Sequence, residues 1–211
     1  MPRLAGLYVL IDPAACRGRS PVAVAEAALR GGAALIQWRD KKRDKGLQLP
    51  EARAIYSLCR SHGASFIVND HADLALIIGG DGVHVGQSDL PVAEVRRILP
   101  PEFIVGASTN TVEEARAAQA AGASYIAVGD LFGTASKGRT RPASLARLAA
   151  VKAAVDAPVC AIGGINADNV AGVVAAGTDI VAVISAVCGA DDPEAAAAAL
   201  AQAMRKAKAG R

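Results

Sequence analysis

One pattern runs the length of the chain. A short, nearly all-apolar run rich in Val and Ile is followed by a polar loop and then by an Ala-rich stretch of helical period, eight times over. The apolar runs are Leu7–Ile11, Leu35–Arg39, Ser65–Val68, Gly82–Val85, Ile104–Ser108, Tyr125–Val128, Pro158–Ile162 and Ile180–Ile184. Short runs with apolar residues at successive positions suit strands covered on both faces, as in a parallel sheet. The stretches between them read as helices over Pro21–Arg30, Leu49–His62, Asp70–Ile78, Pro91–Leu99, Thr111–Ala121, Ser144–Ala154, Asn166–Ala176 and Asp191–Lys208. Ser20 precedes Pro21 as an N-cap before a first-turn proline, and Asn110 is placed to cap Thr111–Ala121. Gly31–Gly32, Gly122 and Gly177 each stand shortly before a strand, where a left-handed residue closes a helix.

Eight strand–helix units in 211 residues give about 26 residues per unit, near the lower size of a (β/α)8 barrel, ~200 residues. The predicted fold is therefore α/β, a single-domain (β/α)8 TIM barrel over residues 1–211. An open doubly wound sheet is the alternative. The count that closes at eight, and the lack of Gly-x-Gly-x-x-Gly after the first strand, favour the barrel.

Composition narrows the function. Aromatic residues are 3% of the chain, too few to stack a single-stranded nucleic acid. A net charge of +3 suits small anionic ligands better than DNA. The spacing of Cys16, Cys59, Cys160 and Cys188 matches no zinc or haem motif, and a disulfide framework is not expected in a chain of this size. No apolar window of ~18 residues implies a membrane span, and Met1–Gly6 does not read as a signal peptide. The expectation is a cytoplasmic enzyme of small molecules, with room for a homo-oligomer.

In a barrel the chemistry sits where strands end and loops to helices begin. The second strand ends in Gln37-Trp38-Arg39-Asp40-Lys41, and alternation puts Gln37, Arg39 and Lys41 on one side. The run Arg39–Lys45 holds five cations and two anions. It reads either as a solvated basic loop or as a pyrophosphate clamp. The third strand ends at Asn69-Asp70, and the fourth leads to Asp89 before Leu90-Pro91. Each of these is a helix-cap signature when read alone. Read together, Asp70 and Asp89 are two carboxylates on adjacent strand ends, a donor set that suits Mg²⁺ shared with substrate phosphates. His84 reads as a hydrogen-bonded structural residue, and Ser108 as a donor to a phosphate or ring nitrogen.

The loop after the sixth strand carries Thr134, Ser136, Lys137, Arg139 and Arg141 and reads as a lid over a polyanion, or as a solvated loop. Gly163-Gly164 after the seventh strand and Ile184-Ser185 at the end of the eighth occupy the standard phosphate position of barrels. A carboxylate introduced at Gly164 is expected to occupy that cradle and repel its phosphate. No nucleophile with a partner base is visible, which favours displacement of pyrophosphate helped by charge neutralisation.

In order along the chain, Gln37-Trp38-Arg39-Asp40-Lys41, Asn69-Asp70 with Asp73-Leu74-Ala75, and Gly82–Pro91 are followed by Gly106-Ala107-Ser108. Thr134–Lys137, Ala161–Ile165 and Ile184–Ala186 complete the set. Together these runs resemble the thiamine-phosphate synthase family, over Leu7–Ala186. The resemblance implies coupling of hydroxymethylpyrimidine pyrophosphate to a thiazole phosphate with release of pyrophosphate, which leaves before a pyrimidine cation is trapped by the thiazole nitrogen. It implies Asp70 and Asp89 on Mg²⁺. It implies Gln37, Arg39, Lys41, Asn69, Ser108 and Lys137 around the pyrimidine pyrophosphate, with Lys137 and Ser108 catalytic. It implies Thr134, Ser136, Gly164, Ile184 and Ser185 around the thiazole phosphate. Two positions depart from the family pattern: Asp130 stands where it has Pro, and Ser136 where it has Thr. Asp130 is left as a metal contact, a partner of a loop cation, or an outward residue. The rival readings are a thiazole tautomerase-like isomerase and a non-catalytic phosphate-binding barrel.

Overall fold

A computed structural model describes residues 4–133 and 143–210. Eight parallel strands close into a barrel in sequence order: β1 (Gly6–Ile11), β2 (Leu35–Trp38), β3 (Ser65–Asn69), β4 (Gly82–Val85), β5 (Ile104–Thr109), β6 (Tyr125–Val128), β7 (Val159–Ile162) and β8 (Ile180–Val183). The last strand pairs with the first, Leu7 opposite Val181, so there is no open edge and the doubly wound alternative is excluded.

The helices are α1 (Pro21–Arg30), α2 (Lys45–His62), α3 (Ala72–Ile78), α4 (Val92–Ile98), α5 (Val112–Ala120), α6 (Leu145–Ala154), α7 (Val170–Ala175), α8 (Ser185–Cys188) and α9 (Pro193–Ala209). Period-2 alternation divides the strand side chains into two apolar layers. Tyr8, Leu10, Leu35, Ile67, Ile104, Tyr125, Cys160 and Ile180 fill the barrel interior. Val9, Ile36, Val68, Val83, Val105, Ile126 and Val181 face the helices. All four cysteines are buried.

The differences from the predicted boundaries have local causes. Asp70 adopts φ +61, a left-handed conformation, so α3 cannot begin there and starts two residues later. His71 holds the N-cap position without a side-chain bond, so Asn69 and Asp70 do not cap α3. Pro91, not Asp89, is the N-cap of α4. Thr111 replaces Asn110 as the cap of α5, its hydroxyl accepting the Glu114 amide at 3.2 Å while Glu114 accepts the Asn110 amide at 2.6 Å. Residues 166–169 form a side-chain-locked turn rather than the start of α7: Asn166 Oδ1 accepts the Asp168 and Asn169 amides, and Asn169 Oδ1 accepts the Asn166 amide. Helix α2 starts a turn early. Gln48 there is buried, with its Oε1 accepting Trp38 Nε1–H at 2.9 Å and its Nε2 donating to the Arg43 carbonyl at 2.7 Å. The glycine turns hold as expected, with φ +96 at Gly32, +95 at Gly122 and +104 at Gly177.

Candidate active site

The C-terminal ends of the strands open into one cavity of about 640 Å³. Arg39 and Lys41 reach it from the end of β2, Asn69 and Asp70 from β3, Asp89 from the turn after β4, and Ser108 from β5. Gly163 and Gly164 close the opposite side beyond β7, with Ile184 and Ser185 at the start of α8. The short helix α8 was not expected from the sequence; it directs the Ser185 end of the β8 connection at the cavity. Thr134, Ser136 and Lys137, with Arg139 and Arg141, lie outside the described residues.

Gln37 differs from its neighbours. It is 1% exposed, lies one layer deeper, and lines a smaller cavity within the barrel together with Tyr8, His84, Tyr125 and Cys160. Its Nε2 donates to the Tyr8 hydroxyl at 2.7 Å.

The basic loop after β2 divides. Arg43 turns outward, with Nε donating to Asp40 at 2.5 Å, a second bond to Glu51, and the guanidinium over the Trp38 ring. Lys45 pairs with Asp73 at 2.5 Å. Arg39 and Lys41 line the cavity, whereas Arg43 and Lys45 do not. Arg39 is buried and ion-paired with Asp12 at the end of β1, while its Nε has no hydrogen-bond partner among the described residues. Asp12 also accepts the Ala14 amide at 3.0 Å, capping the 3-10 turn Pro13–Ala15. Sequence reasoning missed Asp12, which is 27 residues from Arg39.

Lys41 Nζ lies 3.0 Å from Asp70 Oδ2. Burial pushes the Asp70 carboxyl up; Lys41 opposes that, and the neighbouring Asp89 carboxylate adds to it. Asp89 Oδ2 also accepts the Gly86 amide at 2.7 Å. Two converging carboxylates are a hard-oxygen donor set that fits Mg²⁺ when waters and phosphate oxygens complete the shell. Among the described residues no group of three or more His, Cys, Asp or Glu side chains could hold a metal without such help.

Asp130 is buried and lines the cavity, which rules out an outward orientation. A Cβ at Gly163 would collide with Asp130 Oδ1, so that glycine is needed for the close approach of the β6 and β7 loops. A Cβ at Gly164 would lie 2.5 Å from the Gly133 carbonyl oxygen and 2.9 Å from Phe132 Cβ. A side chain there therefore meets the loop after β6.

Ser108 has the partner that the sequence did not reveal: its Oγ lies 2.9 Å from His84 Nε2. His84 Nδ1 lies 2.9 Å from the Tyr125 hydroxyl, and the two rings stack with centroids 5.5 Å apart. His84 is thus hydrogen-bonded as expected, and it also lines the cavity.

The family model for thiamine monophosphate synthase matches residues 7–187. The chain belongs to that family. Thiamine-phosphate synthase of Moorella thermoacetica is 47% identical over 203 residues, covering 96% of this chain and 97% of the relative. That of Anaeromyxobacter dehalogenans is 50% identical over 210 residues, covering 99% and 92%. The structure of thiamine phosphate pyrophosphorylase from Pyrococcus furiosus superposes with a TM-score of 0.89 at 35% identity, covering 98% of each chain. Among the described residues of this family member, no helix is long and apolar enough to cross a membrane.

Proposed function

We propose that this thiamine monophosphate synthase family member couples hydroxymethylpyrimidine pyrophosphate to hydroxyethylthiazole phosphate, forming a C–N bond and releasing pyrophosphate. The observation that carries the reading is the placement, around one cavity, of Arg39, Lys41, Asn69, Asp70 and Asp89 on one side and of the Gly163-Gly164 and Ile184-Ser185 backbone on the other. The first set suits a pyrophosphate. The second suits a single phosphate at the position barrels use for it.

Arg39, its Nη1 engaged by Asp12, holds a fixed charge beside the leaving group; Lys41 adds a second, mobile one. Asp70 and Asp89 would hold Mg²⁺, which when bound neutralises charge building on the departing pyrophosphate oxygens. The bond from the pyrimidine methylene carbon to the pyrophosphate oxygen breaks with its electron pair on oxygen. The thiazole nitrogen lone pair then forms the new bond to that carbon. Ser108 donates a hydrogen bond toward the pyrimidine, and Lys137 is assigned to the leaving group from its sequence motif. Gln37, seated below the cavity, acts through Tyr8 rather than by lining the cavity. Thr134 and Ser136 are assigned to the thiazole phosphate with Gly164, Ile184 and Ser185. The four buried thiols accord with a reducing, cytoplasmic setting.

An isomerase or a silent phosphate-binding barrel would not need the cations and paired carboxylates of β2–β4. Pyrophosphate release from the two substrates together, with and without Mg²⁺, tests the proposal. Release that requires both substrates and the metal is expected. Absence of release with both present would overturn the reading.

A further inference from the structure

The barrel interior beneath the cavity holds a polar chain that links Gln37 to Ser108 through three further side chains. Gln37 Nε2 donates to the Tyr8 hydroxyl at 2.7 Å, and the Tyr8 and Tyr125 hydroxyls are 3.1 Å apart. Tyr125 then meets His84 Nδ1 at 2.9 Å, and His84 Nε2 meets Ser108 Oγ at 2.9 Å. The tyrosines are 2% and 0% exposed. We propose that Tyr8, Tyr125 and His84 form a one-way hydrogen-bond chain that sets Ser108 as a donor into the substrate cavity. The donor's target, the pyrimidine substrate, rests on the function proposed above; the direction of the chain does not.

Proton counting gives the direction. Each phenol carries one proton. The Tyr8 oxygen already receives a proton from Gln37, so its own proton goes to Tyr125. The Tyr125 proton goes in turn to His84 Nδ1. A neutral imidazole that accepts at Nδ1 carries its proton on Nε2 and donates it to Ser108. Ser108 Oγ is then an acceptor toward His84, and its own proton is available to the cavity that it lines. Burial holds both phenols far above their ordinary pKa, so neither gives up its proton. The opposite order needs the Gln37 amide turned over, with its oxygen facing Tyr8.

The barrel is shaped to allow this crossing. His84 on β4 pairs with Gly106 on β5, and Gly106 pairs with Tyr125 on β6. A Cβ at Gly106 would run into the Tyr125 ring. Its absence lets the phenol pass over β5 to reach His84. The same polarity separates the Ser108–His84 pair from a nucleophile–base pair: His84 gives a proton to Ser108 and does not take one. Tyr8, Tyr125 and His84 are positioning residues, because they act through Ser108.

The test is ¹H–¹⁵N correlation of the imidazoles in the substrate-free enzyme, where His84 is one of three histidines and is assigned by His84→Gln. The expected spectrum has the His84 proton on Nε2. Tyr125→Phe should produce a mixture of tautomers with the amide spectrum otherwise kept. It should also lower kcat roughly tenfold, the loss of one ordinary hydrogen bond, with KM for the thiazole phosphate unchanged. Should Tyr125→Phe not fold, Tyr8→Phe must also raise the Nδ1-protonated fraction, because it removes the proton that orders Tyr125. A wild-type proton on Nδ1, or a tautomer untouched by the tyrosine that folds, overturns the proposal. The expected tautomer in an enzyme that releases no pyrophosphate would overturn the functional reading alone.

Discussion

Lys41 Nζ sits 3.0 Å from Asp70 Oδ2, a half-exposed cation from the end of β2 against a mostly buried carboxylate from the end of β3. The pair is lopsided. Burial outweighs Lys41, and with Asp89 beside it the Asp70 carboxyl stays above the usual carboxylate range. A carboxyl raised in the folded state contributes stability that is present below its unfolded pKa and lost as pH rises through the folded one. Asp70→Asn should therefore raise the Tm of the metal-free protein at pH 7, and the gain should vanish near pH 4, about the unfolded value. Melts in chelator at the two pH values check this. A wild type that is more stable at pH 7 would count against the sign.

Turnover should require a divalent cation and should fall on the order of 10²–10³-fold in Asp89→Ala, because a lost ligand weakens neutralisation of the leaving group. Asp89 also accepts the Gly86 amide, so the alanine variant loosens the turn as well. Asp89→Asn keeps an acceptor and loses the charge. Equal losses in the two variants, measured against Mg²⁺ concentration, assign the effect to charge; a near-normal Asn variant assigns it to the turn.

Asp12→Ala leaves the Arg39 guanidinium buried without its partner, since the Arg39 side chain is 8% exposed. Removing one member of a buried pair costs ~3–5 kcal/mol. The unfolding free energy from urea melts should drop by that amount, read as a lower midpoint at unchanged slope, and KM for the pyrimidine substrate should rise. A midpoint within error of wild type would mean that Arg39 finds another acceptor.

Gly164 and Gly133 make a controlled comparison. Both have positive φ, +62 and +79, so alanine at either strains the backbone by about 1–3 kcal/mol. A Cβ at Gly133 meets nothing within 4 Å, whereas at Gly164 it meets the Gly133 carbonyl. Gly164→Ala should lower Tm more than Gly133→Ala and should raise KM for the thiazole phosphate by moving the 131–133 loop. Equal Tm losses would show that φ alone sets the cost.

What the sequence made legible was local. Hydrophobic runs and glycine stops found all eight strands, and Gly82–Val85, Tyr125–Val128 and Pro21–Arg30 match to the residue. Strand-end position then brought Arg39, Lys41, Asn69, Asp70, Asp89 and Ser108 to one cavity. The relationships that were not legible span distant strands. Tyr8 and Tyr125 are 117 residues apart, Tyr125 and His84 41 apart, and each reads along the chain as an ordinary core residue. Asp70 read as a cap because Asn-Asp before a helix is a cap pattern, and its left-handed backbone becomes visible only in three dimensions. Only the β4–β5–β6 register identifies Gly106 as the space that admits a phenol.

Lys137 carries the prediction that most directly tests the chemistry. It follows Thr134 and Ser136 in the family motif and has a long side chain with a charge fixed at pH 7. If pyrophosphate departs before the C–N bond forms, negative charge grows on the leaving oxygens in the transition state. A cation on that charge in a water-poor site contributes ~3–4 kcal/mol, so Lys137→Ala should slow kcat on the order of 10²–10³-fold. Affinity for the thiazole phosphate should hardly move, since that phosphate is assigned to the β7–β8 side. Arg139 and Arg141 are the controls from the same stretch of chain. As solvated charges each should cost less than about tenfold, the range of screened surface electrostatics. Single-turnover rates of the three variants separate the cases. An Arg139→Ala rate as low as that of Lys137→Ala, or a Lys137→Ala enzyme with an intact chemical step, would remove Lys137 from the leaving group and leave general basicity as its only contribution.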